Sequence, residues 1–240
     1  LKNKSVEILD WGRIDYKTAW DRQTVLFQSI IDCKLENRKL AETDGEIKPT
    51  KNYLIICEHN NVFTLGKSGD INNLLINKQA LSNKNIAYYP INRGGDITYH
   101  GPGQLTIYPI LDLDNFFTDI HKYLRYLEAC VIEVLQHYNV KAGRIEGLTG
   151  VWLDINKAHL ARKICAFGIK ASRWVTMHGL AFNVNTEIEY YNYIIPCGIN
   201  DKQVTSLHKE TAEQIDIEIV KHQFINAFSN IFEADIVFNI

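Results

Sequence analysis

Residues 86–113 read IAYYPINRGGDITYHGPGQLTIYPILDL, and the reading of the fold turns on how this stretch divides. Ile86–Ile91 and Leu105–Leu113 are short, nearly continuous apolar runs, the pattern of strands buried on both faces. Between them Arg93 to Gln104 packs four glycines, a proline and Arg, Asp, Thr, Tyr, His and Gln side chains. A hairpin connection needs only about two to five residues, so a linking segment this long and polar reads as a binding loop. Glycines there let a ligand approach main-chain N–H groups closely. The loop is no dinucleotide fingerprint, because Gly101-Pro102-Gly103 lacks the third glycine and runs into a strand, not a helix. Gly66-Lys67-Ser68 likewise fails as a Walker loop, since Asn61 stands where the first glycine belongs.

Working outward, Tyr53–Cys57 (YLIIC) is another buried-strand candidate, joined to the first run through EHNNVFTLGKSGD, which reads as a loop. Val6 and Ile8 suggest an opening strand. Tyr16, Ala19, Trp20, Leu26, Phe27 and Ile30 recur at helical spacing and predict a helix from about 16 to 34. Residues 34–51, KLENRKLAETDGEIKPTK, hold nine charges and read as a solvated surface insertion. On the C-terminal side, Ile120, Tyr123, Leu124, Leu127, Cys130, Val131, Val134, Leu135 and Tyr138 form one helical stripe, which makes Cys130 packing. Residues 150–154, 162–170 and 173–185 suggest an antiparallel meander, and a helix over about 210–232 closes the chain. Strands and helices mix without strict alternation or repeats. The expectation is α+β: one domain over 1–240, a mixed or antiparallel sheet packed with helices, with 34–51 as a charged insertion.

The chain has 240 residues, 46% of them hydrophobic, with 26 Lys and Arg against 28 Asp and Glu. That composition excludes disorder, collagen and coiled coil, and the charge balance gives no reason to expect nucleic acid or an anionic membrane as partner. No apolar run approaches the ~20 residues of a membrane helix and no signal core opens the sequence, so a cytoplasmic protein is expected. Five scattered cysteines without a C-x-x-C pair suggest neither disulfides nor zinc.

One of those cysteines stands apart. Cys197 lies between Pro196 and Gly198, where a tight turn can present a thiol to a cleft. A free thiol, with pKa near 8.5, is mostly protonated at pH 7, and a neighbouring ammonium would shift it toward thiolate. Lys163, on a predicted strand with Cys165, is a candidate for that ammonium. The competing reading makes Cys197 a small buried hydrophobe. His178 shares a strand face with Trp174, Thr176, Leu180 and Phe182, so a hydrogen-bonded core histidine and a ligand-binding one stay equally open. Cys57, His59, His100, Cys165, His178 and Cys197 could form a metal site only by ignoring spacing.

Taken in order, EHNNVFTLGKSG, RGGDITYHGPGQLTIYPILDL, KICAFGIK, HGLAFNVN and PCGI resemble the lipoyl(octanoyl) transferase family, over about residues 6–232. The resemblance implies a fold like the catalytic domains of biotin and lipoate protein ligases. It implies octanoyl transfer from octanoyl-acyl carrier protein to a lysine of lipoyl domains, in 2-oxoacid dehydrogenase E2 subunits and the glycine cleavage H protein. By similarity Cys197 attacks the donor thioester and carries the acyl group, while Lys163 promotes the thiolate and shuttles the proton. The acyl-binding segments would be Arg93, Gly94, Gly95, Asp96, Ile97, Thr98, Tyr99 and His100; Ala166, Phe167 and Gly168; and Gly179, Leu180 and Ala181. Thioester exchange is nearly isoenergetic and aminolysis runs downhill, so no cofactor, metal or ATP is expected. Two departures bear on partner identity: Asn61 replaces the proline usual in the family's E-H-x-P-V segment, and the 34–51 insertion is longer than the family's. The rivals are an ATP-dependent lipoate or biotin ligase, an amidotransferase acting between lipoyl domains, and a catalytically dead module that holds a lipoyl domain or acyl chain.

Overall fold

A computed structural model describes residues 2–43, 45–195 and 203–238. The first layer is a large mixed sheet. β1 (Ser5–Ile14) and β2 (Tyr53–His59) run parallel, connected through α1 (Tyr16–Ala41). Two further strands, β3 (Val62–Leu65) and β4 (Ala87–Pro90), then leave for a second sheet, where β3 pairs parallel with β4 and antiparallel with β5 (Ile97–His100). α2 (Lys78–Asn83) lies between β3 and β4 in the chain. β6 (Gln104–Ile110) returns to the large sheet, antiparallel to β2.

After α3 (Ile120–Gln136), the hairpin β7 (Ala142–Ile145) and β8 (Leu148–Leu153) leads into β9 (Arg162–Ser172) and β10 (Val175–Asn183). β8, β9 and β10 make the antiparallel meander expected from the sequence, β7 extends it by a strand the sequence did not announce, and β10 closes it against β6. β11 (Gln203–Val204) adds parallel to β9. α4 (Leu207–Thr211) and α5 (Ile217–Phe232) follow, and β12 (Asp235–Phe238) covers the free edge of β1.

Alternation along β2 shows why Tyr53–Cys57 is continuously apolar. Leu54 and Ile56 face the core shared with α3 and α5, while Tyr53, Ile55 and Cys57 face the core under α1. A sheet covered on both sides favours apolar residues at consecutive strand positions. Cys130 is fully buried in the α3 stripe. Among the described residues no helix is long and apolar enough to cross a membrane.

Four sequence expectations need correction. The helix predicted to end near 34 continues to Ala41, because Lys, Leu, Glu and Arg are good helix formers even where charge density suggests a loop. Its extra turns are anchored: Lys34 pairs with Asp112 and Asp114, and Asn37 clasps Lys48, accepting from its N–H (2.8 Å) and donating to its carbonyl (2.6 Å). The stretch read as a loop after Tyr53–Cys57 contains β3, too short for periodicity to reveal. The Arg93–Gln104 loop contains β5, so only its flanks are irregular. The closing helix is two, α4 and α5, and β12 follows it unannounced.

Candidate active site

The connection from β4 to β5 lies directly on the large sheet. Gly94 donates its N–H to the Ile169 carbonyl of β9 (2.8 Å). This approach requires bare backbone underneath, since a Cβ on Gly168 would come within 2.8 Å of Arg93 Cδ and 3.0 Å of the Gly94 carbonyl oxygen. Gly168 faces Gly179 across the β9–β10 pair, and Ala166 faces Ala181. Small residues in facing positions therefore leave a void between loop and sheet.

That void is a cavity of about 410 Å³, within the ~300–1,000 Å³ usual for small-molecule sites. Most sequence-predicted positions line it: Arg93, Gly94, Gly95, Asp96, Ile97, Thr98 and His100 from the loop and β5, Lys163, Ala166, Phe167 and Gly168 from β9, and Gly179, Leu180 and Ala181 from β10. Tyr99 does not. Its ring stacks on Tyr190 (centroids 4.9 Å apart) and its hydroxyl donates to Asn61 Oδ1 (2.8 Å). Asn61 also donates to the Tyr190 hydroxyl (3.0 Å), so the residue standing in for proline ties the small sheet to the 3-10 turn Ile188–Tyr193. Cys197, with Pro196 and Gly198, lies outside the described residues; its described neighbours Ile195 and Gln203 anchor to the Asn73 carbonyl and to Arg162 on β9.

Arg93 and Asp96 spend their charge on backbone and on each other's loops. Arg93 donates to the Thr64 carbonyl (2.7 Å), to Thr64 Oγ1 (3.0 Å) and to the Gly94 carbonyl (2.9 Å). Asp96 accepts from the Asp70 N–H (3.1 Å) and from Asn73 Nδ2 (2.5 Å). Both shape the loop. Lys163, half-buried, holds its ammonium over the Trp152 ring, 4.6 Å from the centroid.

Sequence reasoning missed Tyr16, Tyr108, Leu124 and Ile169, together with Gly147 in the β7–β8 turn and Leu148 and Thr149 at the start of β8, which all line the cavity. Tyr16 and Leu124 obey helical periodicity, so they read as core. His178 also lines the cavity while being buried and hydrogen-bonded, so features of both its readings are present. It adopts a left-handed backbone (φ 61°) and its Nε2 meets Asn92 Oδ1 at 3.0 Å. Thr176 makes that kink possible by replacing sheet bonds: its hydroxyl donates to the Pro109 carbonyl (2.8 Å) and accepts from the Leu111 N–H (3.0 Å).

Cys57, His59 and His100 also converge here, but their polar atoms serve each other. His59 Nε2 meets the Tyr108 hydroxyl at 2.7 Å and Cys57 Sγ at 3.5 Å, and His100 Nδ1 meets Gln104 Oε1 at 2.8 Å. Among the described residues no group of three or more His, Cys, Asp or Glu side chains is arranged to hold a metal ion. Burial holds all three histidines neutral: His59 is pushed down to about 4, His178 to about 3 with the Arg93 and Lys170 charges adding, and His100 well below its usual range. Neutral in the fold but protonated when unfolded, they make the unfolded chain bind more protons below about pH 6.5, so stability falls as pH drops from there toward 4. Near pH 5, His59 and His178 together are expected to cost about 2–3 kcal/mol per pH unit. Urea unfolding at pH 7, 6 and 5 measures this; a flat profile would contradict the buried neutral histidines.

With this geometry in view, the comparisons define the class. The family model for the lipoyl protein ligase A/B catalytic domain matches residues 15–229, and the chain belongs to that family. Solved structures share its fold. A bipartite lipoate protein ligase from Thermoplasma acidophilum superposes with TM-score 0.68 at 15% identity, covering 100% of this chain and 87% of that one. A lipoate-protein ligase A bound with ATP gives 0.67 at 16%, covering 100% and 89%. Within the family the sequence is much nearer to proteins named octanoyltransferase. One from Flavobacterium johnsoniae is 55% identical over 98% of this chain and 100% of the relative. Another, from Cytophaga hutchinsonii, is 55% identical over 98% and 95%.

Proposed function

We propose that this protein is an octanoyltransferase of lipoate biosynthesis, taking the octanoyl group from octanoyl-acyl carrier protein and delivering it to the lysine of lipoyl domains through a thioester on Cys197. The observation that carries this reading is Lys163 at the edge of a cavity sized for a medium acyl chain, in a chain 55% identical to a named octanoyltransferase. Val204, seven positions after Cys197, pairs with Lys163, and the Thr205 N–H donates to the Lys163 carbonyl (2.9 Å). Downstream of Cys197 the chain thus lies, at Val204, beside the proposed partner of its thiol.

The steps balance with these two groups. Cys197 thiolate attacks the donor carbonyl, the new C–S bond forms, and the carrier thiolate departs with the proton of the Lys163 ammonium. The acceptor amine then attacks the Cys197 thioester and gives its proton to the now neutral Lys163, and Cys197 leaves as thiolate. The starting ammonium and thiolate are restored. Phe167, Leu180 and Ile97 supply apolar wall for the acyl tail, and the neutral histidines add no charge to it. The acceptors in this reading are 2-oxoacid dehydrogenase E2 lipoyl domains and the glycine cleavage H protein.

Incubation with octanoyl-acyl carrier protein, without ATP, is expected to leave a hydroxylamine-labile octanoyl group on Cys197, read by mass spectrometry. An adduct forming only with ATP and free octanoate would make the protein a ligase. An adduct forming only from an octanoylated lipoyl domain would make it an amidotransferase.

A further inference from the structure

Hydrogen-bond direction can be traced atom by atom where Tyr16, His100, Tyr108 and His178 line the cavity. Tyr16 is stacked on His100, with ring centroids 5.6 Å apart. Backbone carbonyls anchor two of the paths, because a carbonyl only accepts. His59 Nδ1 meets the Ile14 carbonyl at 2.9 Å and therefore donates, which leaves Nε2 of the neutral ring as an acceptor. The Tyr108 hydroxyl gives its proton to that nitrogen (2.7 Å) and has only lone pairs left to offer.

Gln104 Nε2 donates to the Tyr99 carbonyl (3.0 Å), so Gln104 Oε1 is the atom that meets His100 Nδ1 at 2.8 Å. His100 thus donates through Nδ1 and keeps Nε2 as a lone pair, with no hydrogen bond among the described residues. His178, 1% exposed, is bound through Nε2 to Asn92 Oδ1 (3.0 Å), while its buried Nδ1 has no partner. With Nε2 donating to that oxygen, Nδ1 is a third acceptor.

Donors are fewer here. Gln23 holds the His178 N–H on its Oε1 (3.2 Å), which leaves a buried Nε2 without a partner, but Gln23 does not line the cavity. Arg93 is committed to the Thr64 and Gly94 carbonyls. Even with Gln23 given to Tyr108, the Tyr16 hydroxyl alone stands against two imidazole lone pairs. A buried acceptor left unmet is costly, and a donor on a ligand would relieve it.

We propose that this part of the cavity is a hydroxyl subsite, taking medium-chain acyl groups that carry a hydroxyl far from the carboxyl end, with His178 Nδ1 as its acceptor and the Tyr16 hydroxyl as its donor; this rests on the reading of the cavity as an acyl site. Other chain ends fit less well. A carboxylate brings only lone pairs to lone pairs, and an ammonium meets the Arg93 and Lys170 charges, which add to burial in keeping His178 neutral. A methyl group or a fluorine leaves Nδ1 unpaired.

The experiment titrates the full chain at pH 7 with octanoate, 8-hydroxyoctanoate and 8-fluorooctanoate by calorimetry, and follows the His178 Nδ1 nitrogen by NMR in protein labelled with ¹⁵N-histidine. The hydroxy acid is expected to bind about tenfold more tightly than the fluoro acid, which is close to it in size but has no proton to donate there. It should also move the Nδ1 resonance upfield, while the fluoro acid leaves it in place. His178→Leu is expected to cut the preference to about twofold or less. Residue 178 has a left-handed backbone, so where this variant fails to fold the wild-type comparison carries the test alone. Equal or weaker binding of the hydroxy acid, an unmoved resonance, or a preference retained in a folded leucine variant overturns the proposal. Failure of all three acids to bind would remove the acyl reading of the cavity as well, whereas octanoate binding without any hydroxyl preference would remove the subsite alone.

Discussion

Cys197→Ser is expected to lower kcat/KM for octanoyl transfer by about 10³-fold or more, with the melting midpoint as the check that the fold survives. The reason lies in matching acidities. A thiol is a stronger acid than an alkylammonium, so a Cys–Lys pair sharing one proton holds it on nitrogen and leaves the sulfur as thiolate. A serine hydroxyl is a weaker acid than the ammonium, so the single proton that sits on nitrogen in the thiol pair would sit on oxygen instead, and no preformed anionic nucleophile remains. Lys163→Met is expected to lose a comparable factor, because the thiol then stays protonated and the carrier thiolate leaves without its proton. The double variant should be scarcely slower than either single one, since the two groups act as a unit. Multiplicative losses in the double variant, or near-normal turnover by Cys197→Ser, would remove the covalent route.

What the sequence disclosed follows from how far each signal reaches along the chain. The α3 stripe and the β8–β10 meander were legible because periodicity is a local property of consecutive residues. β3 and β12 were not, being four residues each and stabilised by partners distant in sequence, β5 and β1. Arg93–Gln104 was legible as a binding loop from its glycines and polar side chains, whereas Ala166–Gly168 and Gly179–Ala181 came from the family resemblance alone, and the structure explains their small residues by facing pairs such as Gly168 and Gly179. Tyr16, Leu124 and Tyr108 stayed hidden because a cavity wall and a core use the same residue types. Arg93 shows how a structural role can share a site position. An arginine in a glycine-rich loop invites assignment to a ligand, yet its guanidinium binds the Thr64 and Gly94 carbonyls.

Gly179→Ala is expected to destabilise the protein by about 3–4 kcal/mol, lowering the melting midpoint by roughly 10 °C. A Cβ there would sit 2.1 Å from the Ile107 carbonyl oxygen and 2.8 Å from Pro109 Cδ. No rotamer change relieves this, because the obstacle is backbone. Nor can β6 retreat: Ile107 pairs with Ile56 on one side and Leu180 on the other, and every residue of β6 is buried. The strands must separate at the point where His178 already adopts a left-handed conformation, so the cavity floor opens as well and KM for the octanoyl donor should rise. Two comparison variants isolate the cause. Gly12→Ala meets nothing within 4 Å and carries only the strain of φ +55°, a cost of about 1 kcal/mol. Gly168→Ala meets Arg93 Cδ at 2.8 Å, the stem of a side chain, and the Gly94 carbonyl at 3.0 Å, so it should displace the loop and raise KM with an intermediate loss of stability. The order Gly179, Gly168, Gly12 in lost stability is the expected result of calorimetry. Equal losses at all three would show that backbone entropy, and not the close approach of β6 to β10, governs these positions.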